Sequence, residues 1–241
     1  MTDQYSPTRF KILPTVVKNL LIINILMFVA TVTLAKFKIG GNTIDLTKYL
    51  GLHFFMAEDF KVWQIFTYMF MHDTQTFSHL FFNMFALWMF GNTLENIWGA
   101  KRFLLFYLVC GVGAGLCQEL VQYIQYITTF ANYDSVNIGG GRIISMAAYL
   151  NAWNTVGASG AIYGLLLAFG MLFPNSMIYL YFFVPIKAKW FVIGYAIIEL
   201  LLGFFSSGNV AHFAHLGGML FGLVLILIWK KKGKLYGDQV Y

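Results

Sequence analysis

Long uncharged stretches alternate with short polar or glycine-bearing segments along this chain. Six of the apolar runs approach the length that a bilayer core requires, about 20 residues at 1.5 Å per residue. They cover approximately residues 15–35, 77–98, 103–126, 158–173, 190–206 and 211–229. The pattern predicts an all-α polytopic membrane protein with one six-helix membrane domain over residues 15–229. A short segment, 1–14, precedes it and a basic tail, 230–241, follows. Glycines and polar residues interrupt several runs, as in helices that pack on one another and line a site. No internal repeat and no second domain is evident.

Composition supports this division. Hydrophobic residues make up 59% of the 241 residues and charged residues 11%, against about 25% charged in ordinary soluble domains. A chain this short cannot hide so many apolar residues in one soluble core. The net charge of +6 does not indicate nucleic acid, because the basic residues gather at the ends of apolar runs and form no basic-aromatic surface motif. Cys110 and Cys117 are two turns apart in one run, about 10.5 Å, and cannot bridge within a helix. They read as core residues. The first run is long enough to span and no small-residue cleavage site follows it, so no cleavable signal is expected.

With the N-terminus inside, Arg9, Lys11, Lys18, Lys101, Arg102, Lys187, Lys189, Lys230, Lys231, Lys232 and Lys234 fall on the inner side. Lys36, Lys38, Lys48, Lys61 and Arg142 fall outside. The positive-inside rule therefore predicts that both termini are cytoplasmic. Two outer connections are long. Residues 36–76 carry Leu50, Leu52, Phe54, Phe55, Trp63 and Phe66 and are expected to lie partly in the membrane interface. Residues 127–156 contain Gly139, Gly140 and Gly141.

Polar side chains inside spans are costly and usually face the bundle interior or a watery cavity. Three clusters stand out: Ser159 at the start of the fourth run, His79 and Asn83 in "SHLFFNMF", and His212 and His215 in "AHFAHLGGMLFG". Under the lysine-derived topology, all three lie near the outer beginnings of runs that point the same way. Ser159, His79, Asn83 and His215 thus reach similar depth, which points to one composite site. A serine hydroxyl needs an adjacent base to become a nucleophile, and histidine is the usual one. Negative charge then develops on the carbonyl oxygen and needs preorganised donors. His79 and Asn83 share a helix face at i, i+4. Ser159 at a helix N-terminus adds free N–H groups and a favourable dipole. Gly160 with Gly164, and Gly218 with Gly222, are small-residue pairs that let two helices approach closely. Tyr163 lies one turn below Ser159, where it can pack on the His215 imidazole. His212 lies about 4.5 Å nearer the outer surface and reads as solvated and structural. Phe204 and Phe205, next to the turn at 206–209, are placed either to cap the cavity from outside or to anchor a helix end at the membrane interface.

These residues resemble the rhomboid family of intramembrane serine proteases. The carrying motifs are Gly157-Ala158-Ser159-Gly160 with Tyr163, His79-xxx-Asn83, and His215-xx-Gly218-xxx-Gly222. They are joined by "WQIFTYMFMH" at 63–72 and "GNTLENIWGAKRF" at 91–103. The resemblance implies a six-transmembrane-helix rhomboid-like bundle, a Ser159/His215 dyad without a third acid, and a water-filled cavity opening outward. His79, Asn83 and the Ser159 N–H would hold the oxyanion, and Gly157, Gly160, Gly218, Gly222 and Tyr163 would support the site. Substrates would be single-span transmembrane proteins cut near the outer end of their helix, in a lipid bilayer. No cofactor, metal or nucleic acid is implied. The expected location is a bacterial cell membrane. Gln64 departs from the arginine that many members carry after the loop tryptophan, which bears on how the first loop is anchored. The 72–79 stretch is longer than in some relatives.

Three other functions fit parts of the pattern. An inactive rhomboid-like protein would bind membrane clients, but such relatives typically lack the serine or the histidine. A heme or metal membrane protein would use His79, His212 and His215. A transporter would need coupled charges mid-membrane, and the runs offer few beyond Glu119 and Glu199.

Overall fold

The computed structural model describes residues 10–39, 42–180, 183–205, 211–233 and 235. Helix α1 (Thr15–Leu34) is followed by the ladder β1 (Lys38–Ile39) and β2 (Asn42–Thr43), then by α2 (Leu46–Leu50), β3 (Leu52–His53) and α3 (Gln64–Thr67). A 3-10 turn, Tyr68–Phe70, leads to α4 (Phe77–Gln125), which ends in a π-helical turn, Tyr126–Phe130. The hairpin β4 (Ser135–Asn137) and β5 (Ile143–Ser145), α5 (Met146–Asn151) and β6 (Asn154–Thr155) precede α6 (Ser159–Leu172). The hairpin β7 (Met177–Leu180) and β8 (Val184–Lys187) connects α6 to α7 (Ala188–Phe205), and α8 (His212–Lys231) follows. The expected run at 190–206 ends, like the turn at 206–209, outside the described residues.

The protein is a mostly helical, multi-pass membrane protein. Among the described residues, α1, the 54-residue stretch Phe77–Phe130, α7 and α8 are long and apolar enough to cross a membrane, and α6 is a shorter apolar helix. The long stretch is not one rod. Gly99 adopts φ 75°, ψ 164°, a left-handed φ that glycine alone takes without steric cost. The chain folds back there. A methyl group at Gly91 would lie 3.1 Å from the Phe103 ring, although twelve residues of straight helix span about 18 Å. Trp98 packs on Phe106 and Trp229, with ring centroids at 4.9 and 5.2 Å.

The core lies between α4, α6 and α8, around Tyr68, Leu87, Phe106, Cys110, Leu165 and Ile226. Helix α7 is peripheral: of its residues, Ala188, Val192 and Glu199 are buried. Helix α1 attaches through its N-terminus. Its N-cap residue is Pro14, which has no capping side chain. Glu95 of α4 supplies the cap instead, accepting from the N–H groups of Val16 and Val17 at 2.9 and 2.8 Å. A carboxylate there satisfies two orphan donors and the positive end of the helix dipole. Asn96 and Asn92 bind the backbone of Lys11 and Ile12 beside it.

Loss of a cap costs about 0.5–2 kcal/mol. Glu95→Ala is therefore expected to lower the thermal unfolding midpoint in detergent by roughly 2–8 °C. Glu95→Gln, which keeps one acceptor, should fall between. An unchanged midpoint for Glu95→Ala would show that the cap does not hold α1.

Candidate active site

The site is built on a loop platform. Strand β3 of the first loop pairs antiparallel with β6, Leu52 opposite Thr155 and His53 opposite Asn154, just before α6 begins. Gln64 is fully buried and ties the first loop together. Its Oε1 accepts from the N–H of His53 and Lys61, and its Nε2 donates to the carbonyl of Asp59 at 3.1 Å. The loop is thus anchored by Gln64 itself, the residue whose departure from the more usual arginine had put that anchoring in question. Glu119 of α4 accepts from the Phe55 N–H at 2.7 Å. The 127–156 segment packs onto this loop through Phe54 and Trp153, whose ring centroids lie 5.3 Å apart. Trp63, Val62 and Phe66 are exposed on the same loop.

The platform sets the turn into α6. The Gly157 N–H donates to the Tyr68 carbonyl at 3.0 Å, and Gly157 has φ 135°, which disfavours any side chain. A methyl there would also lie 3.3 Å from both the His79 ring and Ser159 Oγ. Ser159 is the first residue of α6, so its N–H has no carbonyl within the helix to bond.

Across from it, His215 Nε2 lies 2.8 Å from Ser159 Oγ. The Tyr163 ring stacks on the His215 imidazole, with centroids 4.2 Å apart and planes 7° apart. The small residues bring α6 and α8 this close. A methyl on Gly218 would overlap the Gly160 carbonyl, and one on Gly222 would meet Gly164 Cα at 3.4 Å. Gly160 and Gly164 also face Ala114 and Cys110 of α4.

His79 faces the same turn. Its Nδ1 accepts from the Asp73 N–H at 3.1 Å. A backbone N–H is only a donor, so in the neutral ring the proton sits on Nε2, which lies on the Gly157 side of the ring. Asn83 Nδ2 donates to the His79 carbonyl at 2.7 Å, which leaves its second amide hydrogen free for another partner. His72 is buried against the His79 ring, centroids 5.3 Å apart. Its burial, with His79 beside it, pushes the His72 imidazole down to about 4.

Two expectations need correction. His212 is buried rather than solvated, because its Nδ1 is bonded to Glu199 Oε2 at 2.7 Å. Phe205 does not cap the site: it is 83% exposed, while Phe204 packs edge-on against Phe213. Glu199 itself was seen in the sequence only as a stray charge. Its Oε2 also lies 3.0 Å from His215 Nδ1, and its Oε1 accepts from the Tyr163 hydroxyl. Glu199, His212 and His215 present metal-type ligand atoms within 4.8 Å of one another, but His212 Nδ1 already bonds Glu199 Oε2 and His215 Nε2 is engaged with Ser159. The signal for Glu199 was available: an acid in an apolar run implies a buried partner.

Residues 59–232 match the Rhomboid domain. The chain belongs to the rhomboid family. It is similar to Rhomboid protein 1, mitochondrial, of Saccharomyces cerevisiae, at 28% identity over 62% of this chain and 37% of the relative. It is similar to the presenilin-associated rhomboid-like protein, mitochondrial, of Bos taurus, at 31% identity over 65% of this chain and 37% of the relative. RHOMBOID-like protein 1 of Arabidopsis thaliana is 29% identical over 78% of this chain and 40% of the relative. The chain therefore spans about two fifths of the length of the curated relatives it matches. These relatives are eukaryotic and two are named as mitochondrial, so the expectation of a bacterial cell membrane is withdrawn.

The glycine contacts of this rhomboid bundle can be tested by a matched pair. Gly218→Ala places a methyl on the Gly160 carbonyl, an overpacking that costs about 1–3 kcal/mol. Gly194→Ala in α7 meets nothing within 4 Å and relieves a helix-interior glycine. Thermal unfolding should show a lower midpoint for Gly218→Ala and an equal or higher one for Gly194→Ala. Equal losses in both would remove the close-approach explanation.

Proposed function

We propose that this rhomboid is an intramembrane serine endopeptidase that cuts single-span transmembrane proteins near the outer end of their helix. The observation that carries the reading is the 2.8 Å contact between Ser159 Oγ and His215 Nε2, with His79 held as an Nε2 donor beside it. Ser159 attacks the scissile carbonyl, and His215 takes the hydroxyl proton and later gives it to the leaving amine. The Ser159 N–H, His79 and the free amide hydrogen of Asn83 hold the oxyanion. No cofactor takes part.

The membrane arrangement belongs to the same proposal. Helix α4 crosses twice, turning at Gly99, so that a six-helix domain over residues 15–229 lies between cytoplasmic termini. The first loop lies in the outer interface, in keeping with its exposed Val62, Trp63 and Phe66. The site opens outward through a water-filled cavity.

A serine-reactive fluorophosphonate should label Ser159 in lipid or detergent. Ser159→Ala should abolish both labelling and cleavage of a transmembrane substrate while the protein stays folded; undiminished cleavage by Ser159→Ala would overturn the proposal. His79→Ala and Asn83→Ala should each lower kcat, by up to about 10²–10³-fold, the cost of one oxyanion donor. A change confined to KM would rule out the oxyanion role.

The two histidines of α8 should separate. His215→Ala is expected to abolish cleavage and labelling, whereas His212→Ala, whose ring does not reach Ser159, should keep measurable activity. The reverse pattern would make His212 the base.

A further inference from the structure

We propose that Glu199 is the positioning residue for His215, a carboxylate on α7 that selects the imidazole tautomer able to accept the Ser159 proton. The inference rests on the protease reading of the same site and replaces the expected dyad without a third acid, since a carboxylate from a different helix lies 3.0 Å from His215 Nδ1.

Donors and acceptors around Glu199 constrain where the imidazole protons sit. An ionised carboxylate only accepts, and a neutral imidazole carries one proton on one of two nitrogens. Three groups converge on Glu199: the Tyr163 hydroxyl on Oε1, and His212 Nδ1 and His215 Nδ1 on Oε2 at 2.7 and 3.0 Å. His212 can donate to Glu199 only with its proton on Nδ1, and the negative charge on Oε2, 3.0 Å from His215 Nδ1, favours a proton on that nitrogen as well. For His215 that choice decides the chemistry. With the proton on Nδ1, its Nε2 offers a lone pair to Ser159 Oγ, 2.8 Å away. With the proton on Nε2, the same contact would make His215 the donor, unable to take the serine proton. The 3.0 Å approach is not well directed along the N–H, so it acts mainly through charge. The carboxylate side chain is 7% exposed, and little water competes for it.

The placement is specific. Glu199 is one of three buried residues of α7, and an acid in an apolar helix is costly unless paired. Its neighbours on α6 and α8 are the Tyr163 that stacks on the base and the base itself. A purely structural latch would need neither contact with His215 nor a lone pair left at Nε2.

The reaction balances without Glu199 changing its own protonation. As the Ser159 Oγ–carbon bond forms, the Oγ proton passes to His215 Nε2, giving an imidazolium between the tetrahedral oxyanion and the Glu199 carboxylate. The same proton then moves to the leaving nitrogen as the C–N bond breaks. The carboxylate lowers the energy of the imidazolium and keeps the Nδ1 proton in place throughout. Where an orienting carboxylate is replaced by its amide in a soluble serine protease, kcat falls about 10⁴-fold because the wrong tautomer forms.

The test uses the full chain in lipid nanodiscs with a transmembrane substrate. Glu199→Gln should lower kcat by about 10²–10⁴-fold with KM within about threefold, since an amide can donate to His215 Nδ1 and favour the wrong tautomer. Nitrogen-15 NMR of histidine-labelled wild-type protein should show His215 protonated on Nδ1, and Glu199→Gln should move that proton to Nε2. Retention of kcat within about threefold in folded Glu199→Gln, or a wild-type His215 protonated on Nε2, overturns the proposal. The second measurement stands even if Glu199→Gln does not fold. A wild-type protein that neither cleaves nor labels at Ser159 instead overturns the protease reading, while the tautomer still tests Glu199.

Discussion

The close approach of α6 and α8 is the constraint on which the site depends. Gly218 sits so near the Gly160 carbonyl that no side chain fits between them. Only at that separation does His215 reach Ser159 Oγ and the Tyr163 ring lie flat on the imidazole. In lipid, helices gain nothing by hiding apolar surface from one another, so association relies on packing and interhelical hydrogen bonds. The glycines supply the first, and Glu199, bonded to groups on both neighbouring helices, supplies the second. Widening this contact by one methyl group would separate the proton donor from its acceptor.

The rest of the fold serves as a frame for that contact. At one end of the bundle, Gln64, Glu119 and the β3–β6 ladder lock the two long loops to each other and to α4. Through Tyr68 they fix the turn at Gly157 that presents Ser159. On the other side, Trp98, Phe106 and Trp229 form an aromatic wedge beside the turn at Gly99, and Glu95 caps α1. Polar groups at these points bond mostly to backbone and so position chain segments.

Helix α7 differs from its neighbours. Many of its large apolar side chains are exposed, among them Trp190, Ile197, Ile198, Leu201 and Phe205. A helix in a membrane can present such a surface to lipid. Its polar attachment runs through Glu199 to the histidines of α8 and to Tyr163. A peripheral helix is thereby tied to a buried polar cluster of the bundle, and any displacement of α7 from α8 would also move the carboxylate away from His215.

The sequence by itself determined the helices to within a few residues: α6 and α8, at Ser159–Leu172 and His212–Lys231, follow the apolar runs at 158–173 and 211–229. It also pointed to polar residues that the fold brings together, Ser159 with His215 and His79 at the same turn, because rise per residue and charge distribution order them along each helix. The glycine spacing marked the helix faces that meet. What it left undetermined is the rotation and tilt of one helix against another, since neither enters the pattern along a single chain segment. Only the tertiary structure placed Glu199 of α7 on His215, buried His212 rather than exposing it, and turned Gln64 inward as the anchor of the first loop. Each of these is a contact between residues from separate elements, decided by where a hydrogen bond can be satisfied away from water.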